Sequence, residues 1–247
     1  MKKFPFYLFL SVSIFFAACS STKNTVSAVE NGKIDITIVQ INDVYEIAPL
    51  DGGKSGGMAR VATLKKEYQQ ENPNTILVIA GDFLSPSVYN SLKFEGSRIR
   101  GKQMVDVMNT AGVDMAVFGN HEFDIPETDV QNRINESAFK WVSSNTFQKK
   151  GNNIIPFVKN GIPFPEAYIQ TFTDKDGTTA RIGFIGLTIP FNKAAYVSYT
   201  DVFAAAQKYY DQIKDSCDAV IAITHQALND DIKLARQIPG LDRKSVV

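Results

Sequence analysis

From Ile34 onward, short apolar runs alternate with stretches of helical periodicity. Ile34 to Ile41 reads as a strand, and Thr75 to Ala80 as a continuous apolar strand bounded by Asn72-Pro73-Asn74 and by Gly81. Between them Met58, Val61, Ala62, Leu64 and Tyr68 approximate one helical face, with Gly56-Gly57 as the entry turn. Gly101 to Ala111 predicts a second helix ended by Gly112, and Met115 to Phe118 a further strand. Ile125 to Phe139 reads as helical, Trp141-Val142-Ser143 as a short strand, and Gly151 to Pro165 as a loop rich in glycine, proline and asparagine. Glu166 to Thr173 and Ala180 to Leu187 form an expected hairpin, turned by Asp176-Gly177. Tyr199 to Lys214 predicts a helix, Asp218 to Thr224 a buried strand and Asp230 to Gln237 a last helix. Alternating strands and helices imply a layered α/β domain, and the hairpin implies a mixed sheet.

Four of the expected strands run directly into polar donors. Ile38 to Ile41 is followed by Asn42-Asp43, and Ile76 to Ala80 by Gly81-Asp82. Met115 to Phe118 is followed by Gly119-Asn120-His121, and Ala219 to Ile223 by Thr224-His225. Binding sites in α/β sheets lie beyond the carboxyl ends of strands, so four such ends can converge. Taken singly, a strand-end aspartate is more often a turn former, and a lone histidine more often bonds the backbone. Together, carboxylates, an amide and imidazoles suit divalent first-row metals such as Mn, Fe, Co or Zn. Asp82 is the candidate bridging carboxylate, because Gly81 lets the backbone approach closely. Charge adds a limit: 26 basic residues balance 26 acidic ones, so there is no long-range attraction to nucleic acid, and phosphate recognition must be local.

Ile41-Asn42-Asp43, Gly81-Asp82-Phe83-Leu84-Ser85-Pro86-Ser87 and Gly119-Asn120-His121-Glu122-Phe123-Asp124 resemble, in order and spacing, the calcineurin-like metallophosphoesterase domain of the 5′-nucleotidase family. Gly56 to Thr63 is similar to that family's first helix, and Thr224-His225 with Ile238-Pro239-Gly240-Leu241-Asp242 to a later block. The resemblance implies a sandwich of two mixed β-sheets flanked by helices, spanning residues 34–247. It implies two divalent metal ions, with Asp43 and Asp82 on the first and Asp82, Asn120 and His225 on the second. His121, oriented by Asp124, is then the group that stabilises the phosphoryl group or protonates the leaving oxygen. The implied activity is 5′-nucleotidase-like release of phosphate from nucleotides by a two-metal-activated water. The alternatives are a 2′,3′-cyclic phosphodiesterase and a surface-tethered, non-catalytic binding lipoprotein. Two departures stand out. Asp43-Val44-Tyr45 replaces the family's usual Asp-x-His; a neutral phenol oxygen is a poor ligand, so the first site is expected to be weakened or rebuilt, with Glu46 a low-ranked substitute donor. The sequence also ends at Val247 without the family's Gly-His-x-His block or its nucleotide-binding domain, so a truncated domain of low activity, incomplete at the C-terminus, is expected.

The N-terminus carries a targeting pattern. Met1-Lys2-Lys3 is basic, Phe4 to Phe16 is apolar, and Ala17-Ala18 precede Cys19. The apolar run is short for a bilayer about 30 Å thick. Residues 1–18 therefore read as a lipoprotein signal peptide, and 19–33 as a polar tether carrying a lipidated Cys19. The expected protein is exported and membrane-anchored, with acyl chains contributing about 0.8 kcal/mol per buried methylene. Cys217, the other cysteine, lies among acidic residues and reads as structural. A Cys19→Ala variant should move from the membrane fraction to the soluble fraction on cell lysis; unchanged membrane retention would count against acylation.

Overall fold

The computed structural model describes residues 31–191 and 194–244, so the expected signal peptide and lipidated Cys19 lie outside the described residues. In chain order the principal elements are β1 (Thr37–Ile41), α1 (Met58–Glu71), β2 (Thr75–Ala80), α2 (Lys102–Ala111), β3 (Met115–Val117), α3 (Glu127–Glu136) and β4 (Lys140–Trp141). These are followed by β5 (Thr146–Lys150), β6 (Asn153–Ile155), β7 (Ala167–Thr173), β8 (Thr179–Thr188), β9 (Val197–Tyr199), α4 (Val202–Ile213), β10 (Ala219–His225), α5 (Leu228–Gln237) and β11 (Arg243–Lys244). No described helix is long and apolar enough to cross a membrane.

Two four-stranded sheets form the centre. The first has the order β1-β2-β3-β4 and is parallel throughout its described strands. The second has the order β7-β8-β10-β11, with an antiparallel β7/β8 hairpin and parallel pairing beyond it. The expectation of two mixed sheets is therefore met by the second only. Strand-helix connections dominate the first half of the chain, and these favour parallel pairing.

Side-chain alternation builds the layers. In β2, Leu77 and Ile79 join the core under α1 and α2, whereas Ile76, Val78 and Ala80 face the other sheet. In β10, Val220 and Ala222 pack with α4 and α5, and Ile221 and Ile223 face the first sheet. The result is a helix–sheet–sheet–helix sandwich with three apolar layers. Strands buried on both faces are apolar without interruption, which is why β2 and β10 were evident as strands.

Several boundaries differ from expectation. The first strand begins at Thr37, and Ile34 and Ile36 instead pack against the inter-sheet core from outside the ladder. The third helix covers only Glu127–Glu136, because Pro126 sets its start and Ser137 turns extended. Tyr199 belongs to β9, and α4 starts after Asp201, whose side chain accepts a hydrogen bond from Ala204 N at 2.8 Å. The 151–165 region contains β6 and a two-residue ladder, Val158–Lys159 with Ile162–Pro163. A three-stranded sheet, β6-β5-β9, is also present, which the apolar pattern does not predict.

At Gly186 the sheets come close enough that a Cβ would lie 2.4 Å from the Val142 carbonyl oxygen and 2.7 Å from Val117 Cγ1. Main chain cannot yield as a flexible side chain can, so Gly186→Ala should lower the free energy of unfolding by about 1–3 kcal/mol. Urea denaturation checks this, and an unchanged midpoint would contradict the close inter-sheet approach.

Candidate metal centre

The left-handed backbone at two strand ends shapes the site. Asp43 has φ 52° and Asp82 φ 55°, both beyond parallel strands of the first sheet. Aspartate tolerates this conformation better than most residues. Gly81 precedes Asp82 with φ 80°, and a Cβ there would stand 2.4 Å from Gly119 N and 2.8 Å from His225 Nδ1. A Cβ on Gly119 would lie 2.1 Å from Asp82 Oδ1. Both glycines are thus required by crowding between the loops. A backbone bond, Asp43 N–H to Gly81 O at 3.1 Å, joins the first two loops.

The second sheet contributes His225. Continuing the alternation of Ile221 and Ile223, it falls on the inter-sheet face and reaches the rim of the first sheet. His225 Nδ1 pairs with the Ala80 carbonyl at 2.7 Å, and Nε2 lies 3.2 Å from Asp82 Oδ2. The carbonyl fixes the proton on Nδ1 and leaves Nε2 as the ligand atom. Burial lowers the proton affinity of His225, but the hydrogen bond and charge of Asp82 overcome this and push its pKa up to about 9.

Potential ligand atoms of Asp43, Asp82 and His225 all lie within 4.8 Å of one another. Asp82 and His225 are buried and Asp43 is half-buried. Asn120 is also buried; it links Gly119, which abuts Asp82, to His121, whose N–H donates to Asp82 Oδ1 at 2.8 Å. All four sequence-predicted ligand residues therefore lie at one rim of the sandwich, Asp43, Asp82 and Asn120 on loops and His225 at the end of β10. Two carboxylates and an imidazole nitrogen in such proximity suit a divalent cation.

His121 and Asp124 occupy a single 3-10 turn, His121–Asp124, with Nδ1 and Oδ2 2.6 Å apart. Phe123 anchors that turn, its ring 4.9 Å from that of Phe118, while the His121 side chain stays 39% exposed and so can be reached by a substrate. Partial burial opposes protonation of His121, but the hydrogen bond to Asp124 and the Asp82 charge raise its pKa.

The Tyr45 hydroxyl lies 2.9 Å from Asp43 Oδ1 and 3.1 Å from Asp82 Oδ2, within donating distance of both. Burial and those two acids raise its pKa far above the ordinary phenol range. Tyr45 is thus a neutral brace between two carboxylates. Glu46 lines a neighbouring cleft of about 760 Å³, which shares Asp43 and Tyr45 with the site but excludes Asp82 and His225. Glu122 is fully buried and accepts main-chain N–H bonds from Asp82, Phe83, Leu84 and Gly119. Burial and the Asp82 charge push its pKa up to about 7 against the pull of those donors. Glu122 stood within a recognised motif, yet nothing in the sequence marked its role. Cys217 is a free, half-buried thiol whose pKa burial raises, which leaves it in the unreactive form.

This sandwich and its strand-end cluster have the arrangement of a metallophosphoesterase domain. Residues 36–242 match the Calcineurin-like phosphoesterase family, and the chain belongs to it. Among its relatives, the snake venom 5′-nucleotidase of Gloydius brevicauda is 26% identical over 253 residues, covering 96% of this chain and 40% of the relative. The trifunctional nucleotide phosphoesterase protein YfkN of Bacillus subtilis is 28% identical over 240 residues, covering 86% of this chain and 16% of the relative. The crystal structure of the 5′-nucleotidase precursor from Thermus thermophilus superposes with a TM-score of 0.65 at 25% identity, covering 81% of this chain and 39% of that one. The chain thus spans about two fifths of the length of the venom relative.

A cation needs neutral His225 Nε2, whereas below about pH 9 the metal-free imidazole is protonated. Titrating metal-free protein with Mn²⁺ at pH 7.5, in buffers of different ionisation enthalpy, should release about one proton from this group. The release should fade as the pH passes 9. A His225→Ala variant with undiminished release would remove His225 from the ligand set.

Proposed function

We propose that this chain carries the catalytic domain of a divalent-metal-dependent phosphoester hydrolase that releases phosphate from nucleotides, most simply nucleoside 5′-phosphates. The observation that carries this reading is the Asp43–Asp82–His225 cluster beside the His121–Asp124 pair. Relatives described as 5′-nucleotidases support the substrate class. A Haemophilus influenzae relative, 25% identical over 249 residues and described as a 2′,3′-cyclic-nucleotide 2′-phosphodiesterase/3′-nucleotidase, adds cyclic nucleotides as candidates. Export and attachment through an acylated Cys19 belong to the same proposal and rest on the N-terminal pattern.

Asp43 and Asp82 would hold one cation and Asp82, Asn120 and His225 a second, drawn from Mn, Zn, Fe or Co. When bound, the cations supply Lewis acidity toward phosphoryl oxygens and lower the pKa of water. The protein's own part is positional and protonic. Asp82 is held by the His121 N–H and by Tyr45, so the shared carboxylate and the histidine backbone move as one unit. Asp124 keeps a proton on His121 Nδ1 and supports the imidazolium, leaving Nε2 of this partly exposed side chain to donate to the departing oxygen. Tyr45, with its proton directed at the carboxylates, orients Asp43 and Asp82 without adding a negative charge.

The test uses the product of the complete reading frame that encodes this chain. With Mn²⁺ it should release phosphate from a panel of nucleoside monophosphates and 2′,3′-cyclic nucleotides. Asp82→Ala should abolish cation uptake, and His121→Ala should slow turnover about 10²–10⁴-fold while cation uptake persists. Absence of metal-dependent phosphate release across the panel would sink the hydrolase reading and favour a binding role.

A further inference from the structure

Glu122 has a role that the hydrolase reading leaves unassigned. It is fully buried, so it cannot touch a substrate, and its carboxylate meets main-chain N–H groups. Oε2 accepts from Gly119 N at 2.6 Å and from Asp82 N at 2.9 Å, one donor from each ligand loop. Oε1 accepts from Phe83 N at 2.7 Å and Leu84 N at 3.1 Å, fastening the residues that follow Asp82. A carboxylate has about four lone-pair sites, and here four donors meet them.

We propose that Glu122 is a positioning residue that locks the Asp82 loop to the Gly119-Asn120 loop and thereby presets the cation site before any cation arrives. The inference rests on the metal-site reading given above. The two loops approach so closely that no Cβ fits on Gly119, and several N–H dipoles converge on one buried point. Only an acceptor with two oxygens satisfies them from a single side chain. Glutamine has one oxygen, and in either orientation its NH₂ confronts two N–H donors. The single 3-10 turn makes this arrangement possible: His121 turns to the exposed rim while the next side chain enters the interior. Ligand loops held in this way depend on their support, and its loss should weaken cation affinity by about 10–100-fold.

The experiment compares metal-free wild type, Glu122→Gln, Glu122→Ala and Ile213→Ala, the last a buried α4 residue in the helix layer of the second sheet. Mn²⁺ affinity is measured by calorimetry well below each protein's unfolding temperature, with circular dichroism as the check on folding. Glu122→Gln is expected to bind Mn²⁺ about 10–100-fold more weakly, whereas Ile213→Ala, although destabilised, keeps wild-type affinity. Folded Glu122→Gln with wild-type affinity would overturn the role of Glu122 and leave the metal site standing. Wild type that takes up no Mn²⁺ would overturn both. Should both Glu122 variants fail to fold, amide hydrogen exchange in metal-free wild type decides. Slow exchange at Asp82, Phe83, Leu84 and Gly119 is expected, and exchange as fast as in open loops would refute a preset site.

Discussion

The hydrogen bond between His225 Nδ1 and the Ala80 carbonyl, 2.7 Å long, joins the two sheets at the rim where the candidate ligands collect. Most of the local architecture is constrained by it. His225 must lie on the inter-sheet face of β10, and a one-residue slip in that strand would turn it toward α4 and α5. Gly81 must lack a side chain, since a Cβ would crowd the imidazole, and Gly186 must lack one so that the sheets can meet. A second bridge runs alongside: Thr188, the register partner of His225, donates its hydroxyl to the Phe118 carbonyl at 2.6 Å. The candidate ligand set is thus divided between sheets, and neither half could assemble it alone.

The parts of the fold that were readable in the sequence are those whose burial is continuous. Ile76 to Ala80 and Ala219 to Ile223 are apolar at every position because one face meets helices and the other a sheet. Thr146 to Lys150 was unreadable for the opposite reason: its Thr-Phe-Gln-Lys-Lys pattern has little apolar periodicity, and one of its partners, Val197–Tyr199, lies far along the chain. The site shows the same split. Asp43, Asp82, Asn120 and His225 stand out as candidates because each lies one residue beyond an apolar run. Glu122 and Tyr45 do not, since their work includes hydrogen bonds to residues about 40 positions away, which leave no periodic trace.

Buried acidity gives the cluster its electrostatic character. Asp82 and Glu122 are removed from water side by side, at a cost that charge pairing or hydrogen bonding must offset. Main-chain N–H groups meet that need at Glu122, and at Asp82 the His121 N–H, Tyr45 and His225 share it. The protonated state of His225 follows from this arrangement: without a cation, the imidazolium is the positive charge nearest the shared carboxylate. A divalent ion would replace that proton with a larger charge at the same place, so metal uptake and proton loss are linked events.

The chain contains two histidines, and their environments divide two tasks between chemically identical side chains. His225 is buried, and its Nδ1 is directed at a neutral carbonyl, a partner that fixes orientation without demanding positive charge. Once a cation neutralises Asp82, nothing in that pairing favours the imidazolium, and Nε2 is free to act as a ligand. His121 is substantially exposed, and its Nδ1 faces the carboxylate of Asp124, a partner that stabilises the charged ring. In the proposed hydrolysis its Nε2 would be the atom that passes a proton to the leaving group. Exchanging the two partners would exchange the roles: a carboxylate behind His225 would retain the proton that a cation must displace, and a carbonyl behind His121 would lower the supply of the acid form.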